Sequence, residues 1–244
     1  MLNRFGKILL WVLLLGYLII VFTFVTRKEK KLFCHNIEVT VEDSLRNRFV
    51  DDKDILKLIS RGRTKLIGVS LDSINKEDLE EIISKNPSIK NAEVYSTLTG
   101  TLQVKVEQRK PILRILKGNR GYYLDEEGAI MPLSRNYTSR ILVASGSISR
   151  ELALGELFQF AKFIHEDEFW NAQIDQIYVT SSGEYILIPR VGDQKILFGN
   201  FGNYRHKFKK LYALYRDGFG RVGWNKYKMI NLKYKNQVVC TKRN

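Results

Sequence analysis

The sequence predicts an α+β chain with a single N-terminal transmembrane helix, a β-α-α-β-β module, and a mostly antiparallel β domain with flanking helices. Three observations carry that prediction. Eighteen consecutive residues, Ile8 to Val25, bear no charge. Between residues 32 and 110 two helical periodicities lie between strand-like alternations. After Pro111 short alternating runs recur between turn-forming residues.

At about 1.5 Å rise per residue, the apolar run with its flanks reaches across a hydrocarbon core of about 30 Å. A cleavable signal would have an apolar region of about 7–15 residues and a small-residue cleavage site. Here the run is longer, is followed by Thr26-Arg27-Lys28-Glu29-Lys30-Lys31, and has no such site. Cys34 follows Leu32 and Phe33, which are not the small residues of a lipoprotein box. The expected division is a short tail at 1–7, a membrane helix at 8–26, a first module at 32–110 and a second domain at 111–244. Charge alone leaves the topology open. The basic flank after the helix leans toward a cytoplasmic body, but long domains are translocated largely regardless of charge.

A hydrophobic content of 44 % with four prolines marks a folded body. The net charge of +14 favours acidic partners, and basic residues beside a membrane helix are most simply a headgroup anchor. Cys34 and Cys240 are too few for a disulfide scaffold and lack C-x-x-C spacing.

Along the first module, Ile37 to Val41 alternates as a half-buried strand. Asp51 or Asp52 starts a helix with Ile55, Leu58 and Ile59 on one face. Asn75 caps a second helix with Asp78 at its third position, Leu79, Ile82 and Ile83 as its stripe, and Asn86-Pro87 as its stop. Strands follow at Ile89 to Tyr95 and Thr101 to Gln108. In the second domain, strands are expected at 112–116, 121–124, 129–131, 174–179, 185–189, 194–198, 229–234 and 238–241. One amphipathic helix is expected at 150–166 and a basic one at 204–216.

No nucleophile elbow, zinc-binding pair or phosphate-binding loop occurs. His35, His165 and His206 are scattered. The carboxylate groups at Asp51-Asp52-x-Asp54 and Asp125-Glu126-Glu127 fit a helix start and a turn. The expectation is a protein that is not an enzyme, with no cofactor, no metal and no small-molecule substrate. Tyr204 to Arg216 interleaves cations with aromatics, but Phe208, Leu211, Tyr212 and Tyr215 fall at helical spacing, so a core-packing helix is preferred to a nucleic-acid reader. The stretch Met229 to Cys240 reads instead as a terminal strand pair. A last strand at a sheet edge exposes backbone groups that can accept a partner's strand.

Several motifs in order resemble the FtsQ/DivIB family of bacterial cell-division proteins. Gly62, Leu66 and Ser70-Leu71-Asp72-x-x-Ile74 precede the second helix as in a POTRA domain. Pro87-Ser88-Ile89-Lys90-Asn91-Ala92-Glu93-Val94, Leu102-x-Val104-x-Val106-Glu107-Gln108-Arg109-Lys110-Pro111, with its acidic residue displaced by one, and Tyr123-Leu124-Asp125-x-x-Gly128, a turn of the β domain, are similar to motifs of that family. Ile230-Asn231-Leu232-Lys233-Tyr234 resembles the segment before its final strand, with Asn for Asp and Lys for Arg. The resemblance implies an inner-membrane, single-pass type II divisome scaffold with its tail at 1–7 in the cytoplasm and its body in the periplasm, enriched at the septum, and a POTRA module serving recruitment. It implies FtsB and FtsL as partners, with FtsB adding to the last strand at Tyr234, Lys235, Asn236, Gln237, Val238 and Val239. The alternative is a POTRA-bearing anchor of another envelope-biogenesis or secretion assembly. A membrane-tethered nucleic-acid binder ranks third.

Overall fold

Two separate sheets organise the body, and each has its own apolar core. The computed structural model describes residues 4–26, 32–43, 47–62, 65–118, 120–134, 137–220 and 223–243. The basic flank Arg27 to Lys31 and the start of the expected N-terminal tail lie outside the described residues. Helix α1 covers Arg4–Thr26. Between Leu9 and Phe22 it turns large apolar side chains outward, among them Trp11, Leu13, Tyr17 and Phe22. Among the described residues, no helix is long and apolar enough to cross a membrane.

The first sheet holds β1 (Asn36–Val41), β2 (Ile89–Ser96) and β3 (Thr101–Gln108) in the order β1-β3-β2. β1 runs parallel to β3, and β2 runs antiparallel to it. Helices α2 (Asp52–Gly62) and α3 (Lys76–Ser84) lie between β1 and β2 in the chain. Both start as local chemistry dictates. The Asp54 N–H donates to Asp51 Oδ1 at 2.8 Å, and the Asp78 N–H to Asn75 Oδ1 at 3.1 Å, satisfying first-turn donors that have no partner inside the helix. Ile55, Ile59, Leu79 and Ile83 from the helices meet Ala92, Val94, Leu102, Val104 and Val106 from the strands in one buried cluster. At about 1.5–3 kcal/mol per fully buried large apolar side chain, this cluster, not the caps, supplies most of the module's stability.

The second sheet has nine strands in the order β12-β11-β10-β9-β8-β7-β4-β5-β6. They are β4 (Pro111–Lys117), β5 (Arg120–Asp125), β6 (Ile130–Pro132), β7 (Leu142–Gly146), β8 (Ile174–Val179), β9 (Tyr185–Pro189), β10 (Lys195–Gly199), β11 (Tyr227–Asn231) and β12 (Val239–Lys242). Five neighbouring pairs are antiparallel, while β4–β7, β7–β8 and β10–β11 are parallel. The whole is a mixed α/β fold with one small and one large sheet.

The helices of this part depart from the sequence reading. The run expected as one helix at 150–166 is two, α4 (Arg150–Leu154) and α5 (Glu156–Glu166). Gly155 between them has φ −101° and ψ −108°, outside helical geometry. The break leaves Leu154 exposed and lets α5 bury Leu157, Phe158, Phe160, Ala161 and Ile164. A further short helix, α6 (Glu168–Gln173), is capped by Asp167, whose Oδ1 accepts from the Trp170 N–H at 3.0 Å. Helix α7 (Tyr204–Ala213) continues into a π-helical turn, Leu214–Phe219. Phe208, Leu211 and Tyr215 are buried on this segment, as its apolar spacing predicts, whereas Tyr212 is exposed. Phe160 of α5 lies within 6 Å, ring centre to ring centre, of Tyr185, Phe198, Phe201 and Phe208, so rings from both helices and two strands form the middle of the core.

The two sheets are joined beside Gln108, through the Arg109–Asp125 pair and the Phe49 ring. Gln108, at the end of β3, is 2 % exposed. Its Oε1 accepts the Phe49 and Val50 N–H groups at 3.0 and 3.1 Å, and its Nε2 donates to the Glu42 and Asn47 carbonyls. One residue later, Arg109 donates from Nη1 to Asp125 Oδ2 at 2.7 Å. The other Asp125 oxygen accepts the Glu127 and Ala129 N–H groups at 2.9 and 2.7 Å. Gly128 closes this turn with φ +83°, a conformation that favours glycine. Phe49 then packs edge-on against Tyr123 and Tyr137, beside Met131.

Replacing Gln108 by Leu strands the Phe49 and Val50 N–H groups in a buried place. The expected loss is about 2–4 kcal/mol, read as a lower urea midpoint.

Candidate protein-binding edge at the C-terminus

The final strand, β12, lies at one margin of the large sheet and pairs only with β11. Ile230 faces Cys240 and Asn231 faces Val239 in antiparallel register. Among the described residues, no strand lies beside the outer side of β12. Backbone donors and acceptors along such an edge are a template for another chain. Val239, Thr241 and Lys242 are exposed, and Val238 and Cys240 are partly buried against the core.

Of the six residues anticipated at a partner contact, the structure places one in the strand and five before it. Val239 opens β12, while Tyr234, Lys235, Asn236, Gln237 and Val238 form the connection from β11. The strand expected at 229–234 is therefore shifted, to Tyr227–Asn231. Two local bonds explain where it stops. Asn231 Oδ1 accepts the Lys233 N–H at 3.0 Å and turns the chain, while the Leu232 N–H still reaches the Leu197 carbonyl on β10 at 2.9 Å.

The connection is held from below by α7. Lys210 Nζ donates to the carbonyls of Leu232 (3.1 Å), Tyr234 and Gln237 (3.3 Å). One ammonium, with three donors, thereby gathers three carbonyls of a segment that has no ladder of its own. His206 brings a ring nitrogen to within 3.1 Å of the Lys235 carbonyl. Lys233 Nζ reaches Glu184 at 2.6 Å. Gly199, at φ +76°, lets the Lys233 side chain pass, since a Cβ there would stand 3.0 Å from Lys233 Cγ.

A shallow cleft of about 340 Å³ opens between α7 and this connection, lined by Asn200, His206, Lys207, Lys210, Lys233 and Tyr234. Lys207 is buried in its wall. It donates to the Asn200 carbonyl and Oδ1 at 2.6 and 3.0 Å, and its Nζ stands 5.0 Å from the centre of the Phe198 ring. Burial, with the Lys210 charge nearby, lowers the Lys207 pKa from the usual lysine value, and burial lowers that of Lys210. Both cations are tied to backbone carbonyls, so they shape the loop. Among the described residues no group of three or more His, Cys, Asp or Glu side chains could hold a metal ion. Sequence reasoning missed Lys210 as a structural hub, because its partners are backbone carbonyls 22 to 27 residues away.

The structure is a large mixed sheet with an edge strand, preceded by a small β-α-α-β-β module. Residues 32–107 match the POTRA-like domain. Residues 110–241, more than half of the chain, match the family described as FtsQ/DivIB, C-terminal related. The chain belongs to the FtsQ/DivIB family, whose domains are those of a non-enzymatic cell-division scaffold. No curated protein sequence matches it.

Removing the Lys210 ammonium, as in Lys210→Met, releases the carbonyls of the 232–237 segment. Amide exchange over residues 233–238 is expected to accelerate about tenfold, the equivalent of about 1.4 kcal/mol, with the α5 core amides unchanged.

Proposed function

We propose that this chain is a divisome scaffold that anchors in the inner membrane through α1 and links early to late cell-division proteins during septum formation. Residues 32–110 act as the POTRA domain and 111–244 as the β domain, both in the periplasm. The partners are FtsB-like and FtsL-like proteins. The single observation that carries this reading is the unpaired outer edge of β12 in a chain of this family. Backbone hydrogen bonds to that edge would supply affinity, and exposed side chains such as Tyr234 and Val239 would supply selectivity. The anchor is supported by the uncharged run from Ile8 to Val25 and by the outward apolar surface of α1.

Neighbouring N–H groups of a strand point to opposite edges, so prolines at successive positions have unequal effects. Of Cys240→Pro and Thr241→Pro, one removes a bond to β11 and lowers the unfolding midpoint. The other removes an outward donor, and is expected to leave folding nearly intact while abolishing capture of the FtsB-like partner in a pull-down. Undiminished capture by both would remove β12 as the contact.

In dividing cells, an N-terminally tagged copy is expected as a band at midcell during constriction. An even rim at every stage would point to another envelope assembly.

A further inference from the structure

The first module carries a second unusual surface at the end from which its chain begins. Four large apolar side chains are exposed there: Phe33 (45 %), Ile67 (52 %), Val69 (36 %) and Leu98 (91 %). They come from three separate stretches, and the backbone holds those stretches together. The Cys34 N–H donates to the Val69 carbonyl at 2.9 Å, the Gly68 N–H to the Cys34 carbonyl at 2.8 Å, and the Leu71 N–H to the Leu32 carbonyl at 2.8 Å. Phe33 forms an isolated bridge with Ser70. The β2–β3 hairpin, with Leu98 in its turn, joins from the other side: the His35 N–H donates to the Gly100 carbonyl at 2.8 Å. A Cβ on Gly100 would stand 2.8 Å from the Phe33 carbonyl oxygen, so the hairpin turn lies directly against that segment.

Two further facts indicate what covers this surface. From Thr26, the last residue of α1, to Phe33 is seven residues, at most about 25 Å of extended chain. The patch therefore cannot lie far from the end of α1. Cations adjoin it in the chain: exposed Lys65 precedes Ile67 by two residues, and the connecting sequence is Arg27-Lys28-Glu29-Lys30-Lys31, against one exposed carboxylate, Asp72, after Val69. Exposed apolar side chains with cations close by in sequence, no more than about 25 Å of chain from the end of α1, match an anionic bilayer surface.

We propose that this end of the first module docks on the anionic lipid surface, with Leu98, Ile67 and Phe33 entering the boundary between headgroups and acyl chains. The inference rests on α1 being the membrane anchor. Docking would fix the module's tilt and turn the opposite end, at Lys85 and Pro87, away from the bilayer.

The test uses the full chain reconstituted in vesicles of phosphatidylglycerol and phosphatidylethanolamine. In a Cys240→Ser background, where Cys34 is fully buried, a nitrobenzoxadiazole probe is placed at Leu98→Cys or, as the opposite-end control, at Lys85→Cys. Lipids carrying a doxyl quencher near the top of the acyl chain are expected to quench the probe at 98 several-fold more than the probe at 85. Adding Ile67→Asp should reduce that difference, and so should replacing the anionic lipid with phosphatidylcholine. Equal quenching at both positions overturns the proposal. Self-quenching that grows with the protein-to-lipid ratio would assign the patch to a second copy and overturn it equally. Carbonate extraction separates the two readings. Release of the protein by carbonate overturns both the anchor and the docking, whereas retention with equal quenching overturns the docking alone.

Discussion

The geometry of the body depends on a polar junction built by three side chains, Gln108, Arg109 and Asp125. Gln108 spends its amide on four backbone groups of the 42–50 segment, and Arg109 hands the chain on to Asp125, which organises the first turn of the large sheet. A buried amide or carboxylate is costly unless nearly every lone pair and proton is used, and here the bonds radiate into both sheets. Gln108 thereby fixes the 42–50 segment to β3, and the Arg109–Asp125 pair with Phe49 on Tyr123 fixes the two sheets against each other. Phe49, Tyr123 and Met131 exclude water from the joint. The outer ion pairs Lys90–Glu127 and Lys110–Asp43 sit at its solvent side, where such pairs contribute little.

The parts of the fold legible in the sequence were those decided by neighbours within a few residues. Asn75 and Asp78 form their cap as their spacing predicts, and β1, β2 and β3 alternate as their side chains do. The α5 stripe was also readable, but the break before it was not, because Gly155 interrupts the backbone without interrupting the apolar spacing. β7 was missed altogether. Its five residues, Leu142-Val143-Ala144-Ser145-Gly146, are a strand because parallel neighbours lie on both sides, and nothing within the segment says so. The motif from Leu102 to Pro111 stood out as a string, yet the role of Gln108 in it is visible only when residues 42–50 are brought alongside.

The candidate partner edge shows the same division. That the chain ends in a strand at a sheet margin follows from its terminal position and composition. That the preceding loop is ordered does not, since it depends on one ammonium from α7 meeting carbonyls contributed by a distant stretch. Tyr234 read as the last residue of a strand, with Lys235 to Gln237 as its break or continuation, and all four belong to a supported bend. The aromatic core beneath, centred on Phe160 and Phe208, gives α7 a firm seat from which Lys210 can act.

The large sheet has two margins, and they differ. At one end β6 is three residues long and finishes on Pro132, which has no N–H to offer, whereas at the other β12 presents an unobstructed run. A sheet blunted at one margin and open at the other can be lengthened in one direction only. Within the large sheet, the geometry leaves room for an added strand at the β12 margin and little at the β6 margin. Growth of the large sheet is thus directional by topology, independently of which side chains decorate the open margin.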